Sequence, residues 1–395
     1  MYRSLVWIAR IILGLAALAV VAVIAFWAIA PGYVGAARNN VLDHGPYPVS
    51  EEAQALHDRL IVGDWHADPL LWKRDLNKRG DWGQVDFPRL QEGNVAVQVF
   101  TAVTKSPAGQ NYEENSAEAF DNITLLAFGQ RWPMRTWDSL YERARYQAEK
   151  LHGFAAENSD VTIITSAEDL ERVLADRAAG GRQIGAILGI EGAHALEADM
   201  ANLDGLVEAG YRLIGLHHFF DNALGGSLHG LNPAGLSDFG REVVAEVAAR
   251  PLILDLAHSS PQVVRDVIEM TDIPLVISHT GVSVFCQTQR NLPDDLMQAV
   301  AGTGGVIGLG YWDEVTCGKF DPSGIAAMAV AAVELLGEDH VSLGSDFDGS
   351  VETAFDTSEL AALTQAMLDA GLSEDQIAKI MGENMVRVLR ARLGD

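Results

Sequence analysis

A chain of 395 residues, 48% of them hydrophobic, has enough material to bury one large core or two smaller ones. Its 54 Asp and Glu outnumber its 28 Lys and Arg, and the formal charge of −26 excludes the basic surface that nucleic-acid binding needs. Acidity of this size keeps a protein soluble and draws cations, and it leaves the fold undetermined.

The N-terminus differs from the rest. Ile11 to Ala30 is an unbroken apolar run, long enough to cross a hydrocarbon core at helical rise. Arg3 and Arg10 precede it and only Arg38 follows closely, which puts the N-terminus in the cytoplasm. Residues 1–32 read as a membrane anchor, with Trp27 and Tyr33 at the interface. The alternative is a cleaved signal peptide ending at Ala28-Ile29-Ala30, a site that Pro31 should block. Either way the body is exported; with the anchor retained, the expected location is the inner membrane, single-pass, with the body on the periplasmic or extracellular side. Residues 33–58, broken by Pro46 and Pro48, read as a polar tether, and 59–395 as one catalytic domain.

From Leu60 onward apolar β-branched runs alternate with amphipathic stretches. Strands are expected at 60–67, 94–102, 183–190, 211–217, 251–257, 274–278, 304–310 and 340–345. Helices are expected at 166–179, 237–249, 261–270 and 322–336. Pro261 and Pro322 stand where a first-turn proline is tolerated. Eight βα units predict a (β/α)8 barrel, an α/β fold of TIM type, preceded by the one transmembrane helix. A long insertion, about 103–165, includes a helical stretch at 137–153. Two final helices, 357–371 and 374–392, are expected outside the barrel. The stretch Gly225 to Gly235 reads as a flexible connection. Cys286 and Cys317 both follow the anchor, and an even count in an oxidising compartment suggests a disulfide; two buried free thiols are the alternative.

Five strands end on metal-competent residues: His66 and Asp68, Glu191, His258, His279 and Asp346. In a barrel of this type the C-terminal strand ends share one mouth. His66 and Asp68, two apart on a strand, point the same way and can serve one ion. Glu191, flanked by Gly189 and Gly192, has two oxygens to share between two ions, and His258 and His279 suit the second. Alone, any of these is commonly a satisfied structural residue or a helix cap. Together they predict a metal site, with zinc best suited and manganese or cobalt as alternatives. Two ions would hold a hydroxide between them, and Asp346 could pass its proton to a leaving amine. His194 reads as a helix-start residue near the site.

DWHAD, GIEG, the Tyr211–His217 segment, GLSDFGREVV, LILDLAHSS, SHTGVSVFCQTQRNLPDD and GSDFDG together resemble the membrane dipeptidase (renal dipeptidase) family of zinc metallopeptidases, in order from about Leu60 to Arg390. The resemblance implies a barrel of the metal-dependent amidohydrolase type with two zinc ions per chain. His66, Asp68 and Glu191 would hold one, and Glu191, His258 and His279 the other. It implies that Asp346 is the acid/base, that His217 steadies the tetrahedral intermediate and that Arg290 receives the C-terminal carboxylate of a dipeptide. The chain departs from the family at Trp65, where a small residue is usual. It departs again at His218 and Phe219, which leave open which histidine faces the substrate. Dipeptides are the expected substrates and the membrane the expected partner, with homodimerisation open. Hydrolysis of a β-lactam, lactone or N-acyl amino acid is the alternative reaction, and an inactive metal-binding anchored protein is the alternative class.

Overall fold

The computed structural model describes residues 2–394. Nine parallel strands form its sheet: β1 (Val62–Ala67), β2 (Val95–Val103), β3 (Val161–Ile163), β4 (Ile184–Glu191), β5 (Tyr211–Gly215), β6 (Ile253–Asp255), β7 (Val276–Thr280), β8 (Val306–Leu309) and β9 (Val341–Leu343). Eight of them follow the expected apolar runs and pair in chain order from β1 through β2 and β4 to β9. The ring closes where Asp346 N donates to His66 O at 3.1 Å and Asp68 N to Phe347 O at 2.9 Å. β3 falls in the segment expected as an insertion. Its β-branched Val161-Thr162-Ile163 pairs with the start of β4 and lies off the ring path.

The strands are buried on both faces, as continuous apolar runs require. One set of alternate residues (Val97, Val99, Ile187, Leu213, Ile253, Val276 and Val306) fills the barrel interior. The other set, including Phe100, Leu188, Ile214 and Ile307, packs against the helices. Trp65 belongs to the interior set, and its Nε1 donates to Ser342 Oγ at 3.1 Å. Its indole therefore occupies the floor beneath the strand ends, which is where the departure from the family pattern acts.

The final helical segment is not one helix outside the barrel. Glu374–Ala378 runs through a π turn, Lys379–Glu383, into Asn384–Arg392. Met385, Val388 and Leu389 join the interior cluster and close the end opposite the site. The reason is local: Gly382 lies against the Ile61 carbonyl, where a Cβ would stand 2.1 Å from the oxygen, so the chain turns inward there.

The apolar N-terminal helix, α1, spans Tyr2–Arg38 and continues through Pro31, past the end expected at residue 32. From Leu5 to Arg38 it is long and apolar enough to cross a membrane. Pro31, Gly35 and Asn39, one helical turn apart, are buried against the body, and a Cβ on Gly35 would stand 2.3 Å from the Trp82 ring. The segment that follows lies along the body. Leu42 N donates to Thr353 O at 2.8 Å, and Tyr47 Oη to Ala354 O at 2.9 Å. Ser50 caps a short helix, α2 (Glu51–His57), whose Ala53 and Leu56 are buried.

Candidate metal centre

The register between β1 and β2 slips between Asp64 and Ala67, which pair with Gln98 and Phe100, so that two residues of β1, Trp65 and His66, face one of β2, Val99. This bulge turns two successive side chains, Trp65 and His66, into the barrel. Asp64 behind it accepts from Ser345 N at 2.9 Å and His66 N at 3.1 Å, which fixes the bulge against the end of β9. Asp68, just past the strand, then faces the same mouth as His66.

Glu191 is the centre of the cluster. Its Oε1 lies 3.6 Å from His66 Nε2, 3.2 Å from His258 Nε2 and 3.4 Å from His279 Nε2. His66 Nε2 is also 3.5 Å from Asp68 Oδ2 and 3.8 Å from Asp346 Oδ1. Nε2 of His258 and of His279 are 3.0 Å apart. Donors about 2.1 Å from a tetrahedral zinc ion stand about 3.4 Å from one another, so this spacing fits a cation between them. His66 Nε2 is buried with no hydrogen-bond partner, which is the behaviour of a ligand atom.

The electrostatics agree. Burial works against a charge on His66, but the carboxylates of Glu191, Asp68 and Asp346 outweigh it and raise the imidazole to about 10. Burial, then nearby cationic groups, hold His258 and His279 well below the usual histidine range, so both offer lone pairs. Burial pushes the Asp346 carboxyl up to about 8; His66 opposes the rise and Asp68 adds to it. Three carboxylates this close in a dry site need positive charge between them. Residues behind the cluster set the orientation of its side chains. Ser278 Oγ donates to Asp255 Oδ2 at 2.7 Å and lies 2.9 Å from His279 Nδ1. It therefore accepts the Nδ1 proton and leaves Nε2 bare toward Glu191. Nothing in the local sequence marks Ser278 or Asp255 for that task.

His217 is not at the cluster. Its Nδ1 meets Ser259 Oγ at 3.1 Å, and it is His218 whose Nε2 reaches Glu191 Oε2, at 3.5 Å. β5 ends at Gly215, and beyond it successive side chains diverge, so only one of the two histidines can face inward. His194 sits in a 3-10 turn and contacts Thr104 Oγ1 at 2.9 Å, outside the cluster. Arg290 is buried at the cluster's edge. Nη2 donates to His279 O at 2.7 Å, Nε has no partner, and the guanidinium lies over Trp312 at 5.5 Å. Its loop is held by a Cys286–Cys317 disulfide, Cα atoms 5.7 Å apart, and by Asn291, which accepts from Gly281 N at 2.8 Å.

Two loops complete the wall. The Gly225–Gly235 stretch is packed, not loose: Leu228 N donates to His258 O at 2.7 Å, and His229 is buried and stacked on Phe219. From the 103–165 segment comes Tyr112, whose hydroxyl accepts from Trp312 Nε1 at 2.9 Å. Neither contact carries a motif that sequence reasoning could find.

Residues 50–393 match the family model described as Membrane dipeptidase (Peptidase family M19). Dipeptidase aclJ of Aspergillus oryzae is 30% identical over 356 residues, 84% of this chain and 78% of that protein. Dipeptidase 3 of Mus musculus is 24% identical over 374 residues, 86% of this chain and 66% of that protein. The solved structure of the dipeptidase AC, a metallo peptidase, matches with a TM-score of 0.67 at 25% identity, covering 85% of this chain and 100% of that one. A metallo peptidase from Rhodobacter sphaeroides, liganded with a phosphinate mimic of the dipeptide L-Ala-D-Ala, shares the fold with a TM-score of 0.66 at 24% identity, over 84% of this chain and 99% of that one. With its barrel, its cluster on Glu191 and a family match across nearly the whole body, this chain belongs to the membrane dipeptidase family, M19, of metallopeptidases.

Proposed function

We propose that this protein is an exported metallo-dipeptidase held in the membrane by α1, cleaving dipeptides that carry a free C-terminal carboxylate. The observation that carries the reading is the convergence of three imidazole Nε2 atoms on one carboxylate oxygen of Glu191. In this reading His66, Asp68 and Glu191 hold one zinc ion, and Glu191, His258 and His279 a second. Two bound zinc ions would lower the pKa of a water to near neutrality and polarise the peptide carbonyl.

The chain's own residues do the rest. Arg290 grips the substrate carboxylate with its planar fork, and its Nη2 contact with the His279 carbonyl fixes that grip relative to the ligands. His218 takes the place expected of His217 beside the reacting carbonyl: its Nδ1 donates to the Lys105 carbonyl at 3.3 Å and so fixes the ring, with Nε2 3.5 Å from Glu191 Oε2. Asp346 takes a proton from the attacking water and delivers it to the leaving amine, a task suited to a carboxyl 3.8 Å from His66 Nε2 at the edge of the cluster. Tyr112, Phe219 and Trp312 exclude water around the reacting bond.

The purified full-length protein loaded with zinc should hydrolyse members of a dipeptide panel with L- or D-residues at the second position. Activity should vanish with a chelator and return when metal is restored. A zinc-loaded protein that cleaves no dipeptide would refute the reading.

The basic residues Arg3 and Arg10 before the span put the body on the periplasmic or extracellular side, where the disulfide is stable. Protein drawn from that compartment should therefore show no alkylatable thiol until reduced. The bond closes a loop over a sequence separation of 31, worth about 3–4 kcal/mol in the chain-entropy model. Two free thiols in unreduced protein would contradict both the bond and the compartment.

A further inference from the structure

Eight large apolar side chains of the body beyond Leu42 stand exposed among the described residues, and five of them fall in one short segment. Phe120, Leu125, Phe128, Met134 and Trp137 are 36% to 75% exposed. The helix Asn122–Gln130 is apolar on both faces. Ile123 and Ala127 are buried in the body, and Leu125 and Phe128 point outward, where a helix facing water would carry polar groups. Clustered exposure of this kind marks a surface meant to be covered.

The position of the patch says by what. The helix Asn122–Gln130 packs beside α1 at the end of its apolar run. Trp27 lies against Phe128, ring centroids 6.0 Å apart, and the ring of Phe26 lies against Gly129. Phe128 in turn meets Trp137 edge-on at 5.6 Å. Trp27 stands three residues before Ala30, the last residue of the apolar run, at the depth of an interfacial aromatic belt. Two cations share that level: Lys73 Nζ donates to Trp27 O at 3.3 Å, and the Arg131 guanidinium lies over the Trp27 ring at 5.4 Å. Apolar side chains beside Lys and Arg at the end of a membrane span have the composition of a surface that enters lipid headgroups.

We infer that the segment Phe120–Trp137 is a second membrane contact, seated in the headgroup and upper acyl region of the leaflet into which α1 runs. The inference rests on reading α1 as a membrane anchor. It gives the body a fixed orientation on the bilayer, because two contacts side by side prevent rotation about a single helix. It also joins that contact to the wall of the site. Asn122 N, at the start of the helix, donates to Ser106 O at 2.8 Å, and the chain between them carries Tyr112.

The test uses the full chain in bilayer nanodiscs, with an environment-sensitive fluorophore on one introduced thiol and chain-brominated lipid as quencher. Cys286 and Cys317 are bonded and stay unlabelled. Labels at Leu125→Cys and, in a second variant, Met134→Cys should be quenched by brominated lipid, as should one at Val20→Cys in mid-span. A label at Met270→Cys, exposed at the end of another helix, should not be. Quenching at Val20 with none at Leu125 and Met134 would overturn the inference and leave the anchor standing. No quenching at Val20 would overturn the anchor reading itself. Labels at Leu125 and Met134 that are shielded in detergent and become exposed on dilution would mean that a second copy covers the patch, and the inference would fall.

Discussion

Asp346→Asn will retain its metal while turnover falls about 10²–10⁴-fold, the scale of a lost general acid/base. Asp346 holds a left-handed backbone conformation, φ 61°, which asparagine tolerates better than other residues, so the loop should keep its shape. The hydrogen bond that its backbone N–H donates to the His66 carbonyl, which helps close the barrel, does not involve the side chain. The carboxyl lies 3.8 Å from His66 Nε2, the longest of the three approaches His66 makes to a carboxylate, consistent with a group that handles protons beside the proposed ligands. Elemental analysis and steady-state kinetics on the same preparation check this. A variant that loses metal together with activity would make Asp346 a ligand and cancel the role assigned to it.

A larger effect is expected at Glu191. The parent protein should bind two divalent ions per chain. Glu191→Gln, which keeps the volume and removes the shared charge, should bind at most one after dialysis and have no measurable turnover. Zinc should also raise the melting temperature of the parent by linkage, and raise that of the variant much less. Elemental analysis finding one ion or none in a fully active parent would refute the shared-ligand arrangement. So would a Glu191→Gln variant that still holds two.

The barrel was legible because each strand is an apolar run buried on both faces, and the residues of the candidate metal cluster because they stand where those runs stop. His66 and Asp68 were paired on the period of a strand, and both do face the mouth. The bulge that turns Trp65 and His66 to the same side was not legible, since alternation carries no mark of an extra residue. The same limit explains His217. Past Gly215 there is no ladder to fix side-chain direction, and two adjacent histidines were indistinguishable until the chain's turn was known. β3 is only three residues long, too short for periodicity to stand out from a helical insertion. The hydrogen bond from Trp312 to Tyr112 spans 200 residues and depends on two loops meeting, which no local pattern encodes. The prolines and polarity of 33–58 predict a tether. The backbone bonds of Asn40 and Leu42 to Thr353, more than 300 residues away, are equally invisible to local reading.

The proposed role of Arg290 is to measure the substrate by its terminal carboxylate beside the metal cluster. Arg290 is buried, unpaired with Asp294 or Asp295, and its Nε lacks a partner. Asp294 instead accepts from Val284 N, and Asp295 lies 4.0 Å from Arg265. The most direct test compares kcat/KM of the zinc-loaded enzyme for a dipeptide with that for its C-terminal amide. Losing a buried charge-assisted contact should cost the amide about 10²-fold or more. That is far more than changing either side chain from Ala to Leu, and the difference should largely vanish in Arg290→Ala. Equal kcat/KM for the free and amidated dipeptides in the unmodified enzyme would contradict both the clamp and the dipeptidase reading.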